Sequence, residues 1–175
     1  MDKVRRVKLY LRDVLMALSI YITITILLLH FAYHVQKPLN FLQNALVFMV
    51  VAIITRQCVT VFALEWHLFN LPEDDWLFVC LILCRDVLTP MVTVLFANYY
   101  VQAKSLFYKI EAFLISLAIM LAMHGLALQF QILTYVKWNF FYTILLNAGF
   151  LLSALGVLRL VSFIQTLENR QNESL

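Results

Sequence analysis

Five long apolar runs, broken only by short polar links, leave this chain few ways to fold. A helix needs about 20 apolar residues to cross the roughly 30 Å hydrocarbon core of a bilayer. The runs are Asp13 to Val35, Phe41 to Glu65, Trp76 to Tyr100, Leu106 to Tyr135 and Trp138 to Ile164. Composition agrees: 63% of the 175 residues are apolar and 13% charged, against about 45–50% and about 25% in soluble domains. A soluble core of this size could not hide so much apolar side chain. The expected fold is an all-α integral membrane bundle of five transmembrane helices.

The links hold Pro38, then Pro72 with the acidic run Glu73-Asp74-Asp75, then Gln102 and Lys104, then only Val136 and Lys137. Short links make consecutive helices antiparallel neighbours, giving an up-down-up-down-up order. With three Gly and three Pro there is little loop material for a second domain. The chain therefore divides into a basic interfacial segment (1–12), the transmembrane domain (13–165) and a polar, fraying tail (166–175). The first apolar run is too long for a signal peptide and lacks a small-x-small cleavage site after Phe31-Ala32-Tyr33-His34, so it reads as an uncleaved anchor.

The N-terminal side, face A, also carries the links after helices two and four. Face A holds six basic residues, Lys3, Arg5, Arg6, Lys8, Arg12 and Lys137; face B holds five, Lys37, Lys104, Lys109, Arg159 and Arg170. The balance, and the density of the N-terminal cluster, favour a cytoplasmic N-terminus. Trp66, Trp76 and Trp138 fall at face A, and Tyr33, Tyr99, Tyr100 and Tyr108 at face B, as two aromatic belts. Val4, Val7 and Leu11 form one apolar stripe among the N-terminal cations. That pattern suits a short interfacial helix meeting anionic headgroups, or docking on Glu73–Asp75. No second basic stretch exists to bind nucleic acid.

The residues that lipid should reject are Arg56, Arg85, Asp86, His124 and Asn147. A charge at the bilayer centre costs about 2.5–3.5 kcal/mol on insertion scales. Counted from the aromatic residues at face A, at about 1.5 Å per residue, all five fall roughly 15 Å deep; Thr23 and Thr25 join them from helix one. The expectation is one polar layer at the midplane. Arg56 pairs with Asp86 across helices, Arg85 seeks a further partner, and His124 tunes the layer with pH. Pro90 clashes with the carbonyl of Asp86 and should kink helix three there.

Other signals are weaker. His30 and His34, with Glu111, have spacing that could hold zinc, but no fourth ligand accompanies them. No His pair on different helices matches in depth for a haem. Cys58, Cys80 and Cys84 lie in apolar stretches and read as small core residues. No metal or cofactor is expected, and no soluble catalytic motif is present. Ala118, Ala122 and Gly125 on helix four, and Gly149, Ser153 and Gly156 on helix five, form small-residue faces. Such faces suit close packing of the two helices, or a homo-oligomer.

Three functions fit these residues. The first is a non-enzymatic transport, channel or sensor component working through the midplane layer, with self-association or a membrane partner. The second is a non-catalytic helical interaction subunit of a membrane complex. The third, an intramembrane lipid-modifying enzyme, would have to use the same layer.

Overall fold

The computed structural model describes the backbone of residues 2–35 and 38–172 and the side chains of residues 10–35 and 38–164. It is helical, with five helices long and apolar enough to cross a membrane. Lys3, Arg5, Arg6, Lys8, Val4 and Val7 lie outside the described side chains, as do Lys37 and Arg170.

The first helix, α1, runs unbroken over Asp2–His34, with no joint at Asp13. Pro38 precedes α2 (Phe41–Thr60), whose start is fixed by the Asn40 N–H donating to Gln43 Oε1 at 3.0 Å. The end of α2 widens into a π-helical stretch, Val61–Glu65, closed by Trp66 N–H on the Val61 carbonyl. After strand β1 (Phe69–Asn70), Asp74 caps α3 (Asp75–Ile82) by accepting from the N–H groups of Trp76 and Leu77. A second π-helical stretch, Leu83–Leu88, joins α3 to α4 (Thr89–Gln102), so the third span is one helix with a widened middle. Ser105 caps α5 (Leu106–Gln129), β2 follows at Thr134–Tyr135, and Asn139 opens α6 (Phe140–Asn172) by accepting from Tyr142 N–H.

The third span is the axis of the bundle. Its residues Val92 to Asn98 are buried without a break, so every side of the helix is covered, as a central helix requires. α1, α2, α5 and α6 all pack on it. Lipid tails are as apolar as Leu, so packing and interhelical hydrogen bonds hold such a bundle rather than a hydrophobic drive. Among the described residues, hydrogen bonds tie different spans together. Tyr21 in α1 is fully buried and donates through its hydroxyl to the Met123 carbonyl in α5 at 3.1 Å. Thr55 Oγ1 in α2 reaches the Arg85 carbonyl at 3.3 Å. Asn98, buried in α4, donates to Asn44 Oδ1 in α2 at 2.6 Å, while Asn44 donates to the Leu39 carbonyl at 3.0 Å.

The two ends differ. At one, β1 pairs antiparallel with β2, joining the link after α2 to the link after α5. The Leu68 carbonyl there accepts from three successive N–H groups, those of Val136, Lys137 and Trp138. Trp138 packs on Phe62 and Phe69 and donates through Nε1 to Thr143 Oγ1, which also bonds the Tyr135 hydroxyl. At the other end the Asn44–Asn98 clamp closes the bundle. We call these the strand end and the clamp end.

Two sequence expectations need correction. Helix four was expected to run to Tyr135; α5 stops at Gln129, and the link to α6 spans Phe130 to Asn139. The chain turns at Gln131, which takes a left-handed conformation (φ 56°), and Ile132 and Leu133 both donate backwards to the Ala127 carbonyl. Ile132 and Leu133 then fold into the core, so the link is apolar without being helical. The small-residue faces were expected to form the seam between the last two helices. Instead Ala118, Ala122, Gly149 and Gly156 are exposed on the outer surface. A Cβ built on Gly125, Gly149 or Gly156 would touch nothing within 4 Å.

Candidate functional site

The centre of the third span is chemically distinctive because a proline cannot continue the helix around it. Leu83 N–H still donates four residues back, to the Val79 carbonyl, but by the end of the π-helical stretch the reach is five, and Thr89 N–H closes on the Cys84 carbonyl. The next step would take the N–H of residue 90 to the Arg85 carbonyl, and Pro90 has none. Thr55 Oγ1, from α2, lies 3.3 Å from that carbonyl and also reaches the Val51 and Ala52 carbonyls. Sequence reasoning pointed to a kink at Asp86; the helix absorbs the proline by widening over Leu83–Leu88. Stretches of this kind occur often at functional sites.

Arg85 and Asp86 sit on this stretch, ten and eleven residues beyond Asp75, so roughly 15–17 Å along the helix from the strand end. Their side chains form a two-pronged pair: Arg85 Nε donates to Asp86 Oδ1 at 2.7 Å and Nη2 to Oδ2 at 2.9 Å. Arg85 is 11% exposed and Asp86 26%. This corrects the expected pairing. Adjacent helical residues point about 100° apart at Cα, but the long guanidinium stem folds back across that angle. Asp86 is therefore held by Arg85 and not by Arg56.

Arg56 faces outward. It is exposed on α2 and, among the described residues, enters no ion pair; the other ion pair there is the surface contact Arg12–Asp13 at 3.6 Å. Its neighbour Thr55 faces the third span and is fully buried, which turns Arg56 away from the core. Arg56 continues an outer stripe formed by Met49 and Ile53, both more than half exposed.

His124 and Asn147 do not join the pair. Because α5 ends at Gln129, His124 lies five residues, roughly 8 Å, from its helix end. That is well short of the 15 Å expected when the helix was counted to Tyr135. Its ring stacks 6.0 Å from that of Tyr135, and its Nε2 is buried with no hydrogen-bond partner among the described residues. Asn147 is buried and donates within its own helix to the Thr143 carbonyl at 3.0 Å. The hydroxyls of Thr23 and Thr25 likewise return to α1, on Ser19 and Tyr21. His30 and His34 stack edge to face, with ring centres 4.5 Å apart. The cysteines are free thiols, Cys80 fully buried.

The polar groups that do cross between spans were missed in the sequence: Tyr21, Asn44, Thr55 and Asn98. Two of them carried a usable signal, since Asn44 and Asn98 are amides inside apolar runs that need a partner in lipid.

By the length and composition of five helices, this fold defines a multi-pass membrane protein. No family model, curated protein or solved structure matches the chain.

Proposed function

We propose that this chain is a non-catalytic helical subunit of a membrane complex, and that α2 docks a partner span carrying a carboxylate. The exposure of Arg56 carries this reading. The second span, Phe41–Glu65, is centred on Ile53, so Arg56 lies about 5 Å from the midplane and about 10 Å inside the nearer hydrocarbon boundary. Its side chain cannot snorkel the whole of that distance. Left against acyl chains, it would cost about 2.5–3.5 kcal/mol or more. An acidic group on a neighbouring protein at the same depth removes that cost.

A second copy of this chain is a poor source of that carboxylate. Among the described side chains, Asp13, Glu65, Glu73, Asp74 and Asp75 are toward the strand end, and Glu111 is five residues into α5 from the clamp end. Asp86 has the right depth but is already held on both oxygens by Arg85. The partner is therefore a different protein. The spans alternate in direction, a reading supported by the β1–β2 pairing at one end and the Asn44–Asn98 clamp at the other. The N-terminus is cytoplasmic, and its basic cluster rests on anionic headgroups of that leaflet.

The test is a photo-crosslinker at Ile53 in the full chain, expressed in its own membranes. The expected product is a heterologous membrane protein with an Asp or Glu in a span at matching depth. Arg56→Glu should abolish the product, and the reciprocal change of that carboxylate to Arg should restore it. Crosslinks only to this chain itself, or a complex indifferent to Arg56→Glu, overturn the proposal.

A transport or sensing role is favoured by one observation, the partly exposed Asp86 on a π-helical stretch. On that reading Asp86→Asn removes transport or response while the crosslinked complex persists. If both survive, the pair is structural.

A further inference from the structure

We infer that the cleft between α1, α4 and α5 binds one phospholipid with an amine-bearing headgroup. This site lies away from the α2 face and does not depend on Arg56. The cleft has a volume of about 810 Å³, less than a whole two-chain phospholipid, so it takes one acyl chain and the headgroup region while the second chain stays in the bilayer.

Its chemistry is graded along the membrane normal. Apart from the Ser116 hydroxyl, the inner wall is hydrocarbon: Leu28 from α1, Val92 and Leu95 from α4, Ile115 and Ile119 from α5. The mouth, at the clamp end, carries Tyr99, Lys104, Tyr108 and Glu111. From Gln102 at the mouth to Val92 at the inner limit is ten residues of α4, about 15 Å. That is half of the roughly 30 Å hydrocarbon thickness, the depth of one leaflet. A molecule filling the cleft thus has a long apolar part, and its polar part emerges where bilayer headgroups lie. The two tyrosines are of the kind that settle at that level.

The mouth also constrains the headgroup. It offers one cation, Lys104, and one anion, Glu111, and both side chains are exposed. Lys109 does not compete, since its ammonium lies over the Tyr100 ring, 5.2 Å from the centre. A phosphate meets Lys104 and a primary ammonium meets Glu111, which matches an ethanolamine phospholipid. An anionic glycerol headgroup satisfies Lys104 but brings nothing to Glu111.

The test uses the full chain in nanodiscs holding equal amounts of phosphatidylethanolamine and phosphatidylglycerol, released and weighed by native mass spectrometry. One retained lipid per chain is expected, with the ethanolamine lipid enriched about fivefold, the scale of one exposed ion pair. Glu111→Gln should bring the two lipids to parity. Lys104→Ala should weaken retention of both. Ala112 lines the cleft, and Ala112→Phe should expel the lipid; should that variant misfold, the two exposed substitutions decide alone. No retained lipid, no headgroup preference in the parent chain, or a preference untouched by Glu111→Gln overturns the inference.

Discussion

Replacing Asp86 with Ala should destabilise the bundle far more than removing Arg85 and Asp86 together. At 2.7 Å and an effective dielectric near 20, the two charges attract by about 6 kcal/mol before desolvation is counted. Most of that offsets the cost of holding both charges out of water. What survives truncation of one partner is a bare guanidinium that is 11% exposed. Breaking a buried pair in this way costs about 3–5 kcal/mol. Asp86 is a quarter exposed, which places the expected loss near the low end, about 3 kcal/mol, or roughly 150-fold in the unfolding equilibrium. The double variant Arg85→Met with Asp86→Leu leaves no charge, and such replacements are often neutral or stabilising, so it should return to within about 1 kcal/mol of the parent. The assay is reversible unfolding in mixed micelles, followed by helical circular dichroism, for the parent, both single variants and the double. An Asp86→Ala variant within about 0.5 kcal/mol of the parent would mean that Arg85 already reaches water, and the burial argument fails. A double variant as damaged as the single would mean the pair does more than neutralise itself.

Three further outcomes follow from the contacts. Thr55→Val deletes the hydroxyl that serves the Arg85 carbonyl and should cost about 1 kcal/mol in the same assay, since interhelical bonds in membranes average near 0.6 and reach about 1.7 kcal/mol. Asn98→Leu opens the clamp and leaves Asn44 without its cross-span donor; a loss of about 1–2 kcal/mol, with faster amide exchange at Leu39 and Asn40, is expected. Tyr135, in the link before α6, has its pKa raised by burial, partly offset by its bond to Thr143. Its neutral form is the one the fold favours, so its contribution is complete below the ordinary tyrosine value near 10 and fades as pH climbs through the raised value. The parent should lose stability above about pH 10 more steeply than Tyr135→Phe, and phenolate absorbance should locate the step.

The spans were legible because length and continuity in lipid leave one solution. Rotation about each helix axis was not. In a soluble helix the apolar stripe identifies the inward face, but Ile53 toward lipid and Val51 toward the core are equally apolar. Periodicity therefore could not say that Arg56 points out, and depth alone made it look like a partner for Asp86. The end of α5 was hidden for a related reason. Phe130 to Tyr135 contains no glycine or proline, and the turn is made by Gln131 at positive φ, an uncommon conformation for a non-glycine residue. That single turn moved His124 from the expected layer to a level near the strand end.

The outward Arg56 and the widened third span share one cause. Pro90 removes the donor that the Arg85 carbonyl would otherwise receive, and Thr55 supplies a hydroxyl at that point. Serving that carbonyl fixes the rotation of α2: Thr55 must face the axis, and Arg56, about 100° further round, must face away. An arginine at mid-depth with no structural demand on its rotation would turn inward, where Asp86 is close in depth. Its outward placement is thus enforced by the proline one helix away, and the charge it presents to the surroundings is a consequence of how the centre of the bundle is held. If that is so, Thr55→Ala combined with Pro90→Ala should relax α2. The heterologous crosslink from Ile53 should then be lost, and Thr55→Ala alone, which breaks the same contact, should already weaken it; an undiminished crosslink in both variants refutes the argument.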